Sequence, residues 1–310
     1  MRVNHWTYPL AWFVRQLTAH WWLPQNPRER LASALFSRQR QCHHPFTIRH
    51  DGVRYRGDFG EYVDWRIFFL GSFERESLNL CRFLSYHAPG DIFVDIGAFR
   101  GLYDLILSPY FHRLVAFEPF APNRECMIQA LVENRIENVD VRSVALGDLN
   151  GDFDFQLSPR GTDGQGTLLL DAHTDRAIIR VPVRRGDAEL KEVAGQVGLI
   201  KIDCEGYEKH VLGGLRQTLE QSRPFVLFEI SDATGSLFDS AQELLSSFPS
   251  RYDLFEVSDH STAPNFFLKP LGVDEFFTRA ITNNLACPAE RRAAINRYVR
   301  ADWRWASRRK

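Results

Sequence analysis

No apolar run in the chain approaches the ~20 residues needed to cross a bilayer, and Arg15, His20 and Pro24 interrupt the first stretch too early for a signal-peptide core. A cytoplasmic protein is therefore expected. Cysteines are few: Cys42, Cys81, Cys126, Cys204 and Cys287 are odd in number, scattered and without C-x-x-C spacing. That excludes a thiolate zinc site and suits free thiols in a reducing compartment. Net charge is nearly absent at −1, so the overall balance carries no sign of nucleic acid. The 310 residues, 44% hydrophobic and 25% charged, suit a soluble globular protein with one main domain plus extensions.

Against that background, residues 91–103 stand out: an apolar run, Ile92-Phe93-Val94-Asp95-Ile96, enters Gly97-Ala98-Phe99-Arg100-Gly101 and then a helix-patterned Leu102-Tyr103-Asp104-Leu105. This predicts strand, tight loop and helix. Glycines there let the backbone approach a ligand, and free helix N–H groups suit an anion. An ordinary turn with a packing glycine competes with that reading. Arg113-Leu114-Val115-Ala116-Phe117 predicts the next strand and ends on Glu118, placed about 20 residues past Asp95, where an acid can accept ribose hydroxyls. A dinucleotide site would want G-x-G-x-x-G, but Ala98 and Phe99 occupy the stretch where the second glycine is needed. The loop suits a nucleoside without a diphosphate, and S-adenosylmethionine fits better than NAD. A nicotinamide oxidoreductase is disfavoured for the same reason.

From Gly90 onward the β/α alternation predicts a mostly parallel, doubly wound sheet. Upstream, residues 47–57 predict a hairpin, and a helix is expected from Gly71 to about Tyr86 with Ser72 as its cap. Glu74 either favours that helix end electrostatically or folds over a ligand. Helix signals run from Pro122 to Asn134, and Val139–Val144 predicts a third strand. The turn Ala145-Leu146-Gly147-Asp148 should border an adenine, with Ala145 among the candidate cofactor contacts. Between strand-like residues 153–155 and 178–183 lies the glycine-rich stretch 161–167, a lid or a plain hairpin insertion.

The chemistry gathers at Leu199-Ile200-Lys201-Ile202, a strand closing on Asp203-Cys204-Glu205-Gly206-Tyr207-Glu208. Glu229 ends the following strand, Phe225 to Phe228, at the same edge. Asp203, Glu205, Glu229 and His210, in that order, are candidates to take a proton from an acceptor. His210 lies on the helix expected over Tyr207 to Leu219. Glu208 sits where a first helical turn favours negative charge. Alternatively Asp203, Glu205 and Glu229 hold Mg²⁺, which would orient a hydroxyl and lower its pKa. Tyr252–Val257 and Asn265–Lys269 predict an antiparallel pair, joined through Asp259, His260 and Ser261.

Taken in order, Phe69-Leu70-Gly71-Ser72-Phe73-Glu74, Val94-Asp95-Ile96-Gly97-Ala98, Ala116-Phe117-Glu118-Pro119, Ile200-Lys201-Ile202-Asp203-Cys204-Glu205-Gly206-Tyr207-Glu208 and Phe228-Glu229-Ile230 resemble the FkbM-type methyltransferases. The resemblance covers about residues 45 to 288, with residues 283–288 similar to the family's closing strand. It implies a class I methyltransferase fold: a Rossmann-like α/β doubly wound sheet, mostly parallel, with an antiparallel C-terminal strand pair and helical terminal extensions. It also implies O-methylation of a sugar, glycan or polyketide-type hydroxyl by S-adenosylmethionine. Asp95, Gly97, Ala98, Gly101, Glu118, Ala145 and Asp203 are then the expected cofactor contacts. Phe99-Arg100 depart from the family, which usually has Asn after Gly-Ala.

The ends lie outside the resemblance. Residues 1–45 form a basic Trp-rich extension, 46–89 the lead-in hairpin and helix, 90–288 the catalytic domain and 289–310 a basic helix. Residues 1–50 carry seven arginines against Glu29, and the tail after Pro288 has eight Lys/Arg against Glu290 and Asp302. Six of the seven tryptophans lie in these two ends. Helices laid across the catalytic domain, rings buried and arginines solvated, are the favoured explanation. Peripheral attachment to an anionic surface, such as the inner membrane face, is the other, and a non-catalytic scaffold is the corresponding alternative function. Nucleic acid is not an expected partner, since the clustered carboxylates would repel phosphate. Nothing in the sequence fixes the oligomeric state.

Overall fold

A computed structural model describes residues 1–19, 25–40, 43–157, 166–170, 174–231, 238, 240–259, 266–271 and 282–300. In chain order its elements are α1 (Tyr8–Thr18), α2 (Gln25–Leu35), β1 (Pro45–His50), β2 (Val53–Asp58), α3 (Tyr62–Leu70) and α4 (Arg75–Ser85). Then come β3 (Ile92–Ile96), α5 (Leu102–Leu107), β4 (Arg113–Phe117), α6 (Ala121–Asn134), β5 (Val139–Arg142), β6 (Ala145–Gly147), β7 (Gly151–Gln156) and β8 (Ile178–Arg185). The last part holds α7 (Gly186–Glu189), β9 (Val197–Ile202), α8 (Glu208–Gly214), α9 (Arg216–Ser222), β10 (Phe225–Ile230), β11 (Tyr252–Asp259), β12 (Phe266–Pro270) and β13 (Thr282–Pro288).

The central sheet runs β12-β11-β13-β10-β9-β3-β4-β5. Strands β10, β9, β3, β4 and β5 are parallel, while β13 inserts antiparallel between β10 and β11. The expected β11–β12 pair is present, and the closing strand joins it on the β11 side, toward β10. Strand β3 buries all five of its residues, as a central strand covered on both faces must. Alternation sorts them: Ile92, Val94 and Ile96 join one core with Ile200 and Val226, whereas Phe93 joins the other with Leu199 and Leu227. Asp95 and Lys201 are register partners in β3 and β9. Each is two positions on from Phe93 or Leu199, so both face the second core.

Several boundaries differ from expectation for local reasons. The helix expected from Gly71 begins only at Arg75: Ser72 does not cap it, and Glu74 takes a left-handed conformation (φ 47°). Gly71 instead ends α3 at φ 80°, against the Ala19 carbonyl, where a Cβ would come within 2.5 Å. Residues 145–147 form a strand rather than a turn, pairing in parallel with β8 in a three-stranded sheet completed by β7. The helix expected from Tyr207 to Leu219 divides at Leu215. Gly214 lies so close to the Gly147 carbonyl that a Cβ would be 1.9 Å from it. Of the stretch 289–310, where a helix is expected, the described part forms short helical segments at Ala289–Arg291, Arg292–Ile295 and Asn296–Tyr298. Residues 301–310, including Trp303 and Trp305, lie outside the described residues, as do Trp21, Trp22, His260, Ser261 and residues 161–165.

The N-terminal helices pack on α3 of the lead-in segment. Val3, Ala11, Val14, Ala32 and Phe36 are buried with Trp65, Phe68 and Phe69 of α3. Arg15 donates to the carbonyls of Ile67 and Phe68, and Arg28 to those of Thr18 and Leu70. Ile67, Phe68 and Leu70 lie in the last turn of α3 and Thr18 ends α1, positions where helix carbonyls run short of intrahelical donors. Trp12 packs edge-on to Phe68, but Trp6 is 87% exposed. No helix among the described residues is long and apolar enough to cross a membrane.

Candidate active site

Strand β3 has β4 on one side and β9 on the other, so the chain reverses its direction of winding there; ligands bind beyond the carboxyl ends of strands at such a point. Two cavities open at this edge and share Gly97, Phe99 and Asp203 as common wall.

The first cavity is lined by Phe117, Phe120, Leu146, Phe155, Leu157 and Leu168, with Glu118, Asn123 and Tyr207 as polar groups. Its apolar walls suit a flat aromatic ring. Three of them, Phe155, Leu157 and Leu168, come from the insertion, which here forms part of the cavity wall. Glu118 accepts hydrogen bonds from the backbone N–H groups of Phe99 (2.9 Å) and Phe120 (2.8 Å). Burial pushes its pKa up to about 7, against the pull of those two bonds. Phe99 is held at φ 54°, which is uncommon for a bulky residue, and its bond to Glu118 helps fix it there. Arg100 turns away from the cavities to Asp64 of α3 (3.0 Å) and Glu61 (3.6 Å), tying the loop to the lead-in segment.

Gly97 is the tightest point of the loop. It sits at φ 81°, and a Cβ would lie 1.9 Å from the Asp203 carbonyl oxygen. Gly97→Ala is expected to destabilise the fold by roughly 2–4 kcal/mol through left-handed strain plus displacement of β9's end. Thermal melting with and without cofactor would check this; an unshifted melting temperature would mean that the close approach is not required.

The second cavity, about 450 Å³, is lined by Tyr62, Arg66 and Phe73 from the lead-in segment and by Glu74, Tyr103, Lys201, Asp203, Glu205, Glu229 and Asn283. Lys201 organises it. Its ammonium lies 2.9 Å from Asp203, 3.8 Å from Asp95 and over the Tyr103 ring. Burial disfavours that charge, but Asp203, Asp95 and Glu74 outweigh it and hold the ammonium protonated. Glu74 closes the far side, accepting from Tyr103 Oη (2.8 Å) and Asn283 Nδ2 (3.2 Å). Ligand oxygens of Asp203, Glu205 and Glu229 lie within 4.8 Å of one another, a spacing that could hold a cation. Burial and the neighbouring Asp203 and Glu205 push Glu229 up to about 9, so it carries the proton of this group at neutral pH.

Of the expected cofactor contacts, Gly97, Ala98, Glu118, Ala145 and Asp203 line the cavities. Asp95 and Gly101 do not. Asp95 is buried behind the loop between Lys201 and Asp104; burial raises both carboxyls, Asp95 raises Asp104 further, and Lys201 and the bond to Asp104 pull Asp95 the other way. Gly101 starts α5 at φ 76°, packed on Met127. Among the proton acceptors, Asp203, Glu205 and Glu229 come together, but His210 does not join them. It stacks on Tyr207 and points its Nδ1 at Asp148 (3.2 Å), because its helical position aims it at the three-stranded sheet. Glu229 at neutral pH is an acid rather than a base. Glu208 is structural, accepting from the N–H groups of Cys204 and Gly206.

The residue whose role the sequence left unassigned is Lys201. A lone ammonium in Val197–Ile202, all six residues of which are buried, is the signal that marks it.

The sequence profile of the methyltransferase FkbM domain matches residues 95–254. No curated protein sequence matches the chain. Among solved structures, a methyltransferase FkbM from Methylobacillus flagellatus KT is 18% identical, covering 64% of this chain and 44% of that one, with a TM-score of 0.41. The present chain thus spans less than half of that protein. A SAM-dependent methyltransferase from Agrobacterium tumefaciens is 8% identical (80% and 71% covered, TM-score 0.43). An O-methyltransferase from Bacillus cereus in complex with SAH is 10% identical (69% and 80% covered, TM-score 0.37).

Proposed function

From the premise that this chain belongs to the FkbM methyltransferase family, we propose that it transfers a methyl group from S-adenosylmethionine to a hydroxyl of a polyhydroxylated acceptor, a sugar or glycan. The residues fit the cofactor. The first cavity offers apolar walls for adenine and the Glu118 carboxylate for ribose hydroxyls. The wall of Gly97, Phe99 and Asp203 shared by the two cavities is where the chain that carries the sulfur would pass from one to the other. Carboxylates and the rings of Phe99 and Tyr103 then surround a cationic sulfonium, which both favour. Bound S-adenosylmethionine supplies an electrophilic methyl, and its transfer requires an oxygen held in line behind it.

One observation carries the acceptor class: the second cavity joins several carboxylates to the rings of Tyr62 and Phe73. Carboxylates accept bonds from adjacent hydroxyls and rings cover a sugar's apolar face, whereas phosphate would be repelled. Asp203, at the junction of the cavities, takes the acceptor's proton. Lys201 fixes its carboxylate, and protonated Glu229 donates to a neighbouring oxygen. The competing role for this cluster is Mg²⁺ binding. Chelation is expected to leave turnover unchanged, and recovery by added Mg²⁺ would reassign the three carboxylates as ligands.

Calorimetry with S-adenosylmethionine tests the cofactor, and mass spectrometry of cell-envelope glycans incubated with labelled cofactor tests the acceptor. Absent binding would end the proposal; label found only on nitrogen would end its oxygen-acceptor part. Binding without any methyl transfer would favour a scaffold.

The pH profile tests Glu229. As pH rises through about 9 the group ionises and adds a third negative charge beside Asp203 and Glu205. Wild-type kcat should fall there. Glu229→Gln should keep neutral-pH turnover within roughly tenfold and lose the alkaline fall, because the amide still donates. A variant that is dead at neutral pH, or that retains the fall, would remove Glu229 from this role.

A further inference from the structure

The outward face of α1 is apolar along its length. Trp6, in the turn before the helix, and Leu10, Phe13 and Leu17 are spaced four, three and four apart, which places them on one stripe. All four are exposed, Trp6 by 87% and Phe13 by 62%. The opposite face, with Ala11, Val14 and Thr18, is buried against the domain. The exposed stripe is thus surplus to the packing that holds α1 in place.

Charge indicates what covers it. The chain is acid-free up to Glu29, and residues 1–50 contain seven arginines. Arg15 and Arg28 are committed to carbonyls of the helical layer, but Arg2, Arg30, Arg40 and Arg49 remain exposed. Since the whole chain is nearly neutral, this excess is offset by acids elsewhere. A second copy docking stripe to stripe would bring two such basic segments together, which charge opposes. An anionic bilayer meets both features, because aromatic and aliphatic side chains enter its interface while arginines stay at the headgroups. We infer that α1 docks the protein on an anionic lipid surface through Trp6, Leu10, Phe13 and Leu17. The buried contacts of α1 hold this face as a preformed part of the fold, so docking requires no refolding.

Full-length protein sedimented with phosphatidylcholine vesicles containing about 30% phosphatidylglycerol, against phosphatidylcholine alone, tests this. The wild type should sediment with the anionic vesicles and be released by salt. Trp6→Ser combined with Phe13→Ser should lower the bound fraction roughly tenfold. Because both side chains are exposed, that variant should melt like wild type; Arg2→Ala combined with Arg30→Ala should lose the anionic preference without touching the stripe. Equal sedimentation of wild type and the Ser variant overturns the inference. So does a wild type that ignores both vesicle types, whether it elutes as a monomer or as a dimer that Phe13→Ser dissociates.

Discussion

Lys201→Met is expected to destabilise the protein by about 3–5 kcal/mol at neutral pH, the cost of removing one partner from a buried ionic group. Met keeps much of the side-chain volume and the contact with Tyr103, so the effect isolates the charge. Without the ammonium, Asp95 and Glu74 stay buried but lose the cation that draws their pKa values down against burial. Each must then hold a proton to stay buried. The sign follows directly: their folded pKa values rise further above the unfolded ones, so the variant is least impaired below about pH 4 and loses stability as pH rises. Melting temperatures from pH 5 to 8 provide the measurement, with a deficit of about 10 °C expected at the upper end. A variant melting within about 2 °C of wild type throughout would mean that the ammonium does not organise the site.

Glu118→Gln is expected to weaken S-adenosylmethionine binding by roughly 30- to 1,000-fold, equivalent to about 2–4 kcal/mol. The carboxylate accepts from both Phe99 and Phe120, and an amide has only one oxygen to offer. Turning its NH₂ toward either donor leaves a buried clash of like groups, and it also loosens the left-handed Phe99 that walls both cavities. The pH dependence gives a second readout. With Glu118 at about 7 in the empty protein, cofactor affinity should fall as pH drops through 7, because a protonated carboxyl accepts fewer bonds. The same raised pKa means that Glu118's contribution to stability is present below about 4.5 and lost as pH rises through 7. Both slopes should be absent in Glu118→Gln. Titration calorimetry at pH 6 and 8 decides it, and a variant that binds like wild type would place the ribose elsewhere.

Much of this protein was determined by sequence alone. The apolar run of β3, the glycines after it, the acid closing β4 and the carboxylates closing β9 and β10 are local patterns. In a parallel sheet, strands that end on acids bring those acids to one edge. The tertiary structure decided which of them meet. Asp95 and Lys201, 106 residues apart, face each other only because β3 and β9 lie side by side. His210 left the cluster because a helix ending against Gly147 turned it toward Asp148. Burial, and after it crowding by carboxylates distant in sequence, made Glu229 an acid rather than a base. Spacing along a chain fixes where a side chain begins, but its charge state and partners depend on the burial and packing that other segments supply.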